Sequence, residues 1–534
     1  MTLLEKLKVQ IIEHSLILPL FVVGLFAGGL QSIPLLTVFY FPLLLHYTRI
    51  QWYNVITGFI VHTLSFWISI LGLPDGLQGG DRFQHPWLTL GVSIAACISV
   101  LIPLAGDFLA SRHDNVALRL LVFPLLFTGF WMGVCGHLFG FGDGLAYSNN
   151  ILLAFPDVVQ GAAWLGGRPA IDFVLSLFAT VLREFDRPSF EKPPVFNSIE
   201  EDDEQEQQQQ QQQFSVSNNK KPWFLHHAIY YACLLIVLGI FGGGLIQIRP
   251  GSFFQIAYPD YVPETVPVGC VIGPGGIHPE LQEDHDRWFN RTTKLVESGA
   301  KLVVWSEETA ITHSSQEEND LINRAREYAI EKQIYLAIAY DNNVLADLAE
   351  NKLVIVSPLG EVKINYRKAH PVPIVELSTP GAAEIQFFDT PEFGRIGGAI
   401  CFDYNFPWFI RQASENNIDL MIQPSFTWGP IGTYHSRSNS LRAVENGFTM
   451  FRCGSQGLSG VFEPTLNGVF NQHVAAITDS EYLFHLPIQK RRKTLYGYIG
   501  DVFGFTCLYV GLLTIFYLVY YTTVKKLRGG QIQV

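Results

Sequence analysis

Long apolar segments constrain this chain more than any other feature of its sequence. A bilayer core requires about 20 consecutive apolar residues for each helix that crosses it, and eight segments meet or approach that length. Only 16% of the 534 residues are charged, whereas a soluble globular protein has about 25%. We therefore predict a multi-pass α-helical membrane region. The predicted spans are residues 14–31, 33–48, 53–73, 87–110, 117–139, 166–184, 225–247 and 498–522.

The first six spans fall within residues 1–190, which form the predicted N-terminal transmembrane region. Residues 150–167 are interrupted by polar residues, so we expect them to be an interfacial or re-entrant segment rather than a span. Residues 191–224 are acidic, then glutamine-rich, then basic. Such a segment buries too little apolar surface to fold, and we predict a disordered cytoplasmic loop.

Residues 248–490 have a different pattern, in which short β-rich runs alternate with polar helical stretches. Strands that alternate with helices and hairpins predict a layered α/β domain. The predicted spans at 225–247 and 498–522 would flank this domain and hold it at the membrane.

Basic residues beside the spans predict the orientation of the chain. LEKLK precedes the first span, Lys220 and Lys221 precede the seventh, and VKKLR follows the eighth, so all three flanks should be cytoplasmic. The α/β domain then lies on the lumenal or extracytoplasmic side. The sequence Asn290-Arg-Thr is a candidate glycosylation site that fits this placement. The basic stretch at 489–493 runs against the rule, and we interpret it as a lipid-headgroup contact or a domain edge.

Composition also excludes some functions. A net charge of −12 argues against a nucleic-acid partner, because phosphate binding requires clustered Lys and Arg. The seven cysteines are scattered singly, so we predict no metal site and no cofactor. Cys270 and Cys453 could form a disulfide in an oxidising compartment, but spacing alone does not place them within reach.

Reactive side chains follow three predicted strands of the α/β domain. Glu307 and Glu308 follow KLVVWS, Lys368 follows INYR, and Cys401 follows GGAI. A thiol nucleophile, a carboxylate that takes its proton and a cation that holds an oxyanion form a working set for acyl chemistry. Cys401 also precedes a predicted helix start at 406–407, which favours a lowered thiol pKa.

These motifs resemble those of a known superfamily. The segments WSE (305–307), YRK (366–368) and GAIC (398–401) are similar to the Glu-Lys-Cys triad motifs of the nitrilase, or carbon–nitrogen hydrolase, superfamily. KAHPVPIVE (368–376) resembles the K-x-H-x-V-P-F-G-E signature of its apolipoprotein N-acyltransferase branch. Two further motifs, GLAYSNN (144–150) and RAVENG (442–447), also resemble stretches of that branch.

The resemblance implies an α-β-β-α sandwich and a thioester mechanism. Cys401 would be the nucleophile and Glu307 the general base. Lys368 would donate to the oxyanion, together with the backbone N–H of Phe402.

Further roles follow from the same resemblance. Glu376 would support Lys368, and Trp428 would lie on a loop over the site. The acyl donor would be a membrane phospholipid, and the acceptor the free amine of a lipid-modified N-terminal cysteine or another amine. Apart from the resemblance, the apolar character of the loops at 406–410 and 425–432 suggests that they guide acyl chains, although ordinary core and turn residues would show the same pattern.

The sequence departs from the family pattern in ways that leave alternatives open. WSEE replaces W-P-E, so either Glu307 or Glu308 could be the base; the Trp-x-Glu spacing favours Glu307. Asp403 replaces the Glu that follows the nucleophile, and PIVE replaces P-F-G-E. The protein could instead be a membrane-tethered amidase of the same superfamily, or a non-catalytic membrane scaffold.

Overall fold

The computed structural model describes the chain in eight stretches. They are residues 3–30, 32–73, 86–185, 224–245, 264–275, 278–345, 348–373 and 375–530. The loop predicted to be disordered, 191–224, lies outside these stretches except for Phe224, where a helix begins.

Seven helices precede the α/β domain in the described sequence, and their apolar composition matches the predicted spans. Those seven are α1 (Leu3–Ala27), α2 (Pro34–Thr48), α3 (Tyr53–Ser69), α4 (Pro86–Ala110), α5 (Val116–Phe130), α6 (Pro156–Phe185) and α7 (Phe224–Ile240). Four helical segments of the described chain are long and apolar enough to cross a membrane. Those four are Pro86–Ala110, Val116–Leu138, Pro156–Phe185 and Val502–Val524.

The sixth helix begins earlier than the span predicted at 166–184. Pro156 opens α6, as suits a residue whose missing N–H costs nothing in the first turn. Gly166 and Gly167 interrupt the helix with non-helical backbone angles, and φ is +66° at Gly167. The segment 150–167 is therefore more helical than its broken polarity pattern predicts, and the glycine pair supplies a kink rather than an end.

Thirteen strands of the described chain form two mixed sheets. The first has the order β13-β1-β2-β4-β5-β6, with β3 beside β4, and β1, β2 and β4 run parallel. The second has the order β12-β11-β10-β9-β8-β7, with β8, β9 and β10 parallel. The strands are β1 (Thr265–Ile272), β2 (Leu302–Trp305), β3 (Ala310–Thr312), β4 (Tyr335–Leu345), β5 (Leu348–Val356), β6 (Val362–Arg367), β7 (Phe387–Thr390), β8 (Gly394–Gly398), β9 (Leu420–Phe426), β10 (Thr449–Ser455), β11 (Gly457–Phe462), β12 (Gln472–Ala476) and β13 (Ser480–Pro487).

Helices cover the outer faces of both sheets. On the first sheet, Trp288 and Leu321 belong to the apolar cluster that joins the sheet to its helices. On the second, the helix Gly429–Asn446 packs against β10 and β11. The helices of this part are α8 (His285–Glu297), α9 (Ser315–Lys332), α10 (Pro407–Ile410), α11 (Gln412–Glu415), α12 (Gly429–Asn446), α13 (Leu495–Ile499) and α14 (Val502–Gly530). The predicted α-β-β-α sandwich is confirmed.

A disulfide links the two sheets. It joins Cys270 on β1 to Cys453 on β10, with the two Cα atoms 5.3 Å apart. Both residues belong to the apolar core between the sheets. The tertiary structure therefore provides the proximity that the sequence could not.

A buried ion cluster joins the helical region to the sandwich. Asp143 contacts Arg168 of α6, and its Oδ2 lies 2.6 Å from Nη2 of Arg442 on α12. Arg442 also lies 2.9 Å from Glu445, which accepts a 2.7 Å hydrogen bond from the Arg168 backbone N–H. The GLAYSNN and RAVENG motifs thus border one interface between the two halves.

Candidate active site

Glu307 lies just beyond the end of β2 and is only 1% exposed. Its Oε1 is 2.7 Å from Lys368 Nζ and accepts a 2.8 Å hydrogen bond from Asn351 Nδ2. Its Oε2 accepts a 2.5 Å hydrogen bond from the Phe426 backbone N–H. Three N–H donors therefore fix the orientation of this carboxylate, and one of them comes from the second sheet.

Lys368 follows β6 and is completely buried. Its Nζ lies 2.6 and 2.7 Å from the two carboxylate oxygens of Glu376. Burial lowers the pKa of Lys368, but the carboxylates of Glu307 and Glu376 outweigh burial and raise that pKa well above its ordinary value. Lys368 is therefore a permanent cation at the centre of the site.

Cys401 opens a five-residue 3₁₀ helix, Cys401–Asn405, shortly after β8. Its φ of +43° lies in the left-handed region, which L-residues rarely adopt. The thiol donates a 3.4 Å hydrogen bond to the Phe426 carbonyl and accepts a 3.1 Å bond from Ser425 Oγ. The backbone of Phe426 therefore donates to Glu307 through its N–H and accepts from Cys401 through its carbonyl. Strained backbone at such a position is common in functional sites.

The expectation of a lowered thiol pKa is wrong for this structure. Burial raises the pKa of Cys401, and the negative charge of Glu307 adds to the increase, while Lys368 and Arg452 oppose it. The helix predicted to start at 406–407 is only the four-residue α10 (Pro407–Ile410), and Cys401 itself opens a short 3₁₀ helix. The dipoles of such short helices are too small to offset desolvation. Cys401 therefore holds its proton at neutral pH and requires a base to remove it.

Glu308 is placed differently from Glu307. Its φ is +54°, its side chain is half-buried, and its carbonyl accepts a 2.8 Å hydrogen bond from Gln282. Burial and the nearby carboxylates of Asp341 and Glu307 raise the pKa of Glu308 well above its ordinary value. The structure brings Glu307, and not Glu308, into contact with Lys368.

Asp403 ties the nucleophile segment to the segment that carries Lys368. Its carboxylate accepts hydrogen bonds from the Tyr366 hydroxyl at 2.7 Å, the Ile400 N–H at 2.9 Å and the His370 N–H at 2.9 Å. The side chain is fully buried. The Asp that departs from the family pattern thus joins the strand ends that precede Lys368 and Cys401.

Sequence reasoning missed three residues around the triad. Asn351 lies on β5, Ser425 on β9 and Arg452 on β10, and all three are buried. Asn351 and Arg452 sit inside strands, so only their lack of fit to an apolar strand could have drawn attention to them. Ser425 begins the 425–432 segment, which the sequence singles out for its apolar residues rather than for its hydroxyl.

An apolar cavity of about 420 Å³ opens onto Cys401. Its walls come from both halves of the molecule, and Trp428 donates a hydrogen bond from Nε1 to the carbonyl of Leu73 across the boundary. From the helical region the lining includes Gly29, Phe66, Ile70, Trp87, Gly91 and Phe141. From the sandwich it includes Cys401, Phe402, Phe426, Trp428, Tyr434 and His435.

The sandwich domain matches a known protein family. Residues 272–477 match the model of the family described as carbon-nitrogen hydrolase. This part of the chain is a carbon–nitrogen hydrolase domain. The matched residues contain Glu307, Lys368 and Cys401.

Two formamidases match a short part of this chain. A formamidase of Pseudomonas syringae pv. syringae is 32% identical over 112 residues, or 20% of this chain and 32% of the formamidase. A formamidase of Bradyrhizobium diazoefficiens is 31% identical over 110 residues, or 20% of this chain and 33% of that protein. The matched stretch spans about a third of these curated relatives.

Solved amidases also resemble the hydrolase domain. An amidase from Nesterenkonia sp. is 18% identical, with a TM-score of 0.37, over 43% of this chain and 92% of the amidase. A mutant of an amidase from Nesterenkonia sp. AN1 that carries the acetamide moiety of fluoroacetamide at its active-site cysteine is 17% identical, with a TM-score of 0.36, over 42% and 90% of the two chains.

Proposed function

We propose that this protein is a membrane N-acyltransferase that moves a fatty acyl chain from a phospholipid to an amine through a thioester on Cys401. The apolar cavity carries this proposal, because it leads from Cys401 to helices apolar enough to cross a membrane. A small amide substrate would not need such a cavity, whereas an acyl chain would fill it.

In the first half-reaction, Glu307 takes the proton from Cys401, and the sulfur attacks the ester carbonyl of the phospholipid. Lys368 Nζ and the Phe402 N–H stabilise the oxyanion of the tetrahedral intermediate. The ester C–O bond breaks, and the departing alkoxide takes the proton from Glu307. The products are a thioester on Cys401 and a lysophospholipid.

In the second half-reaction, an amine attacks the thioester carbonyl and forms a second oxyanion at the same donors. Glu307 takes a proton from the attacking nitrogen, and the C–S bond breaks. The amide leaves, and Cys401 recovers its proton. Glu376 supports both steps by holding Lys368 at 2.6 Å, and Trp428 covers the site from the cavity side.

A site beside the membrane suits a lipid donor. Moving an acyl chain from lipid into water costs about 0.8 kcal/mol for each CH₂. A continuous apolar path to Cys401 avoids that cost. The amine acceptor that this chemistry favours is the N-terminus of a lipid-modified protein, which also resides in the membrane.

Mass spectrometry of the detergent-purified protein after incubation with phospholipid tests the proposal. We expect a hydroxylamine-labile acyl adduct on Cys401 that is absent from Cys401→Ala. A lipopeptide amine should then clear the adduct faster than buffer does. If reduced Cys401 never carries an acyl group, the phospholipid donor is wrong.

The second candidate is a membrane-tethered amidase, which the formamidase relatives favour. Water rather than an amine would then resolve the thioester. Equal clearance of the adduct in buffer and in the presence of a lipopeptide amine would support the amidase. Absence of every acyl adduct, with amide and ester donors alike, would support a non-catalytic scaffold.

We also propose that the hydrolase domain lies on the lumenal or extracytoplasmic side. Disulfides persist in oxidising compartments, and Cys270 pairs with Cys453. Asn290 is exposed on α8 and so accessible to a glycan. Glycosidase treatment of protein from a eukaryotic host should increase its mobility, and Asn290→Gln should abolish that change. A domain labelled by a membrane-impermeant reagent only from the cytoplasmic side would contradict this placement.

A further inference from the structure

A buried arginine contacts the nucleophile through one intervening side chain. Arg452 is completely buried on β10. Its Nη2 donates a 2.8 Å hydrogen bond to Ser425 Oγ, and Ser425 Oγ donates a 3.1 Å bond to Cys401 Sγ. The three side chains thus form a relay from a cation to the sulfur.

The two cations of the site differ in how their charge is used. Lys368 contacts the carboxylates of both Glu307 and Glu376, which hold its ammonium group in place for the substrate oxyanion. Arg452 forms no ion pair with a carboxylate among the residues that the structure describes. Burial lowers the pKa of Arg452 to about 10, and the charge of Cys401 opposes that decrease.

The other contacts of Arg452 fix the orientation of its guanidinium group. Its Nε donates a 3.0 Å hydrogen bond to the Leu458 carbonyl, and its Nη2 lies 3.3 Å from His435 Nδ1. Burial and the neighbouring cations hold the pKa of His435 well below its ordinary value, so His435 stays neutral and accepts this bond. The guanidinium therefore cannot turn away from Ser425 without losing buried hydrogen bonds.

We propose that Arg452 is a positioning residue that acts through Ser425 to stabilise the Cys401 thiolate each time sulfur becomes anionic. This inference rests on Cys401 being the nucleophile of the proposed function. When Glu307 takes the thiol proton, the Ser425 hydroxyl remains a donor to sulfur, because Arg452 occupies its acceptor lone pair. Lys368 then remains available for the substrate oxyanion.

The pH dependence of Cys401 alkylation tests the relay without any acyl substrate. The full-length protein in detergent is treated with iodoacetamide between neutral and alkaline pH, and mass spectrometry measures the modified Cys401 peptide. The ionisable groups that face the thiol are the same in all variants apart from the substituted one. They are Glu307, Lys368, Glu376, Arg452 and His435.

Ser425→Ala should move the alkylation midpoint upward by about one pH unit, which is about a tenfold slower reaction at a fixed pH below the midpoint. Arg452→Gln should move it at least as far. Arg437→Gln, an exposed arginine on α12, should leave the midpoint unchanged, and a small free thiol added to each sample reports on the reagent itself.

The relay would be overturned if the alkylation midpoint of Ser425→Ala coincided with that of the wild type. This holds even if Ser425→Ala lowered the alkylation rate at every pH. Ser425→Ala removes one buried oxygen and keeps Arg452 in place, so it decides the question if Arg452→Gln does not fold. The readout is independent of acyl transfer. A shifted midpoint in a protein that never forms an acyl adduct would support the relay and contradict the proposed function.

Discussion

Cys401 lies between two surfaces of opposite character. On the sandwich side, Lys368 Nζ lies 2.7 Å from the Glu307 carboxylate and 2.6 Å from that of Glu376, and the three side chains form an ion cluster. On the helical side, the cavity is walled by apolar side chains such as Phe66 and Ile70. The sulfur atom of Cys401 therefore faces a cluster of charged side chains and an apolar cavity at once.

The difference between the charged cluster and the apolar cavity suggests that separate parts of the molecule determine the reaction chemistry and the choice of substrate. The charged surface belongs to the domain that matches carbon–nitrogen hydrolases, so its reaction steps would suit an amidase or an acyltransferase equally. About half of the residues that line the apolar cavity lie in the helical region, outside that match. The choice of substrate should therefore depend largely on the helical region. The chemistry of the reaction should depend on the sandwich. The following experiments address each surface in turn.

Removal of the sulfur should have the largest effect. Cys401→Ala leaves both surfaces in place but abolishes the thioester, so acyl transfer should fall by at least about 10³-fold. Transfer to a lipopeptide amine measures the loss. Cys233→Ala, at an exposed position on α7, should keep full activity. A Cys401→Ala protein that retains transfer would show that the charged surface works without a covalent intermediate.

Replacement of the base should cost somewhat less. Glu307→Gln keeps the shape of the side chain but cannot take the thiol proton, and the rate should fall by about 10² to 10⁴-fold. The matched change Glu308→Gln should cost less than about tenfold, because Glu308 does not contact Lys368. Formation of the acyl adduct over time distinguishes the two variants. The opposite ranking would make Glu308 the base.

Loss of the ion cluster between the helical region and the sandwich should lower the stability of the protein. Asp143→Asn leaves Arg168 and Arg442 buried without their shared carboxylate, and breaking a buried ion pair costs about 3–5 kcal/mol. The thermal unfolding temperature in detergent should fall by several degrees. The control Asp389→Asn removes an exposed carboxylate paired with Arg395, where the loss should be small. Equal effects would mean that the interface cluster contributes no more than a surface pair.

Partial filling of the apolar cavity should have the smallest effect on acyl transfer, and the effect should depend on the chain length of the donor. A Cβ on Gly91 meets no atom within 4 Å, so Gly91→Leu fits the fold and occupies cavity space. Displacing about two CH₂ groups at about 0.8 kcal/mol each lowers transfer from long-chain donors by about tenfold.

Short-chain donors should be unaffected by Gly91→Leu. The control Ile94→Leu changes an exposed side chain on the same helix and should not discriminate between chain lengths. Equal loss with long and short donors would mean that the acyl chain does not reach Gly91.

Much of this protein follows from local sequence. Apolar length predicted the membrane-type helices, because a span depends only on consecutive residues. Alternating strands and helices predicted a layered α/β domain, and the family resemblance implied the α-β-β-α sandwich. The ends of three strands predicted the residues that meet at the candidate site. The kink at Gly166–Gly167 was harder to predict, since glycine ends some helices and bends others.

Only the tertiary structure decided the features that depend on distant residues. The Cys270–Cys453 disulfide, the Asp143–Arg442 pair and the Ser425–Arg452 relay each join elements that are far apart in the chain. The pKa of Cys401 shows the reason most directly. Its position before a helix favoured a thiolate, yet burial and Glu307 outweigh that local effect, because electrostatic energy depends on every charge and every desolvated atom nearby, whichever segment supplies it.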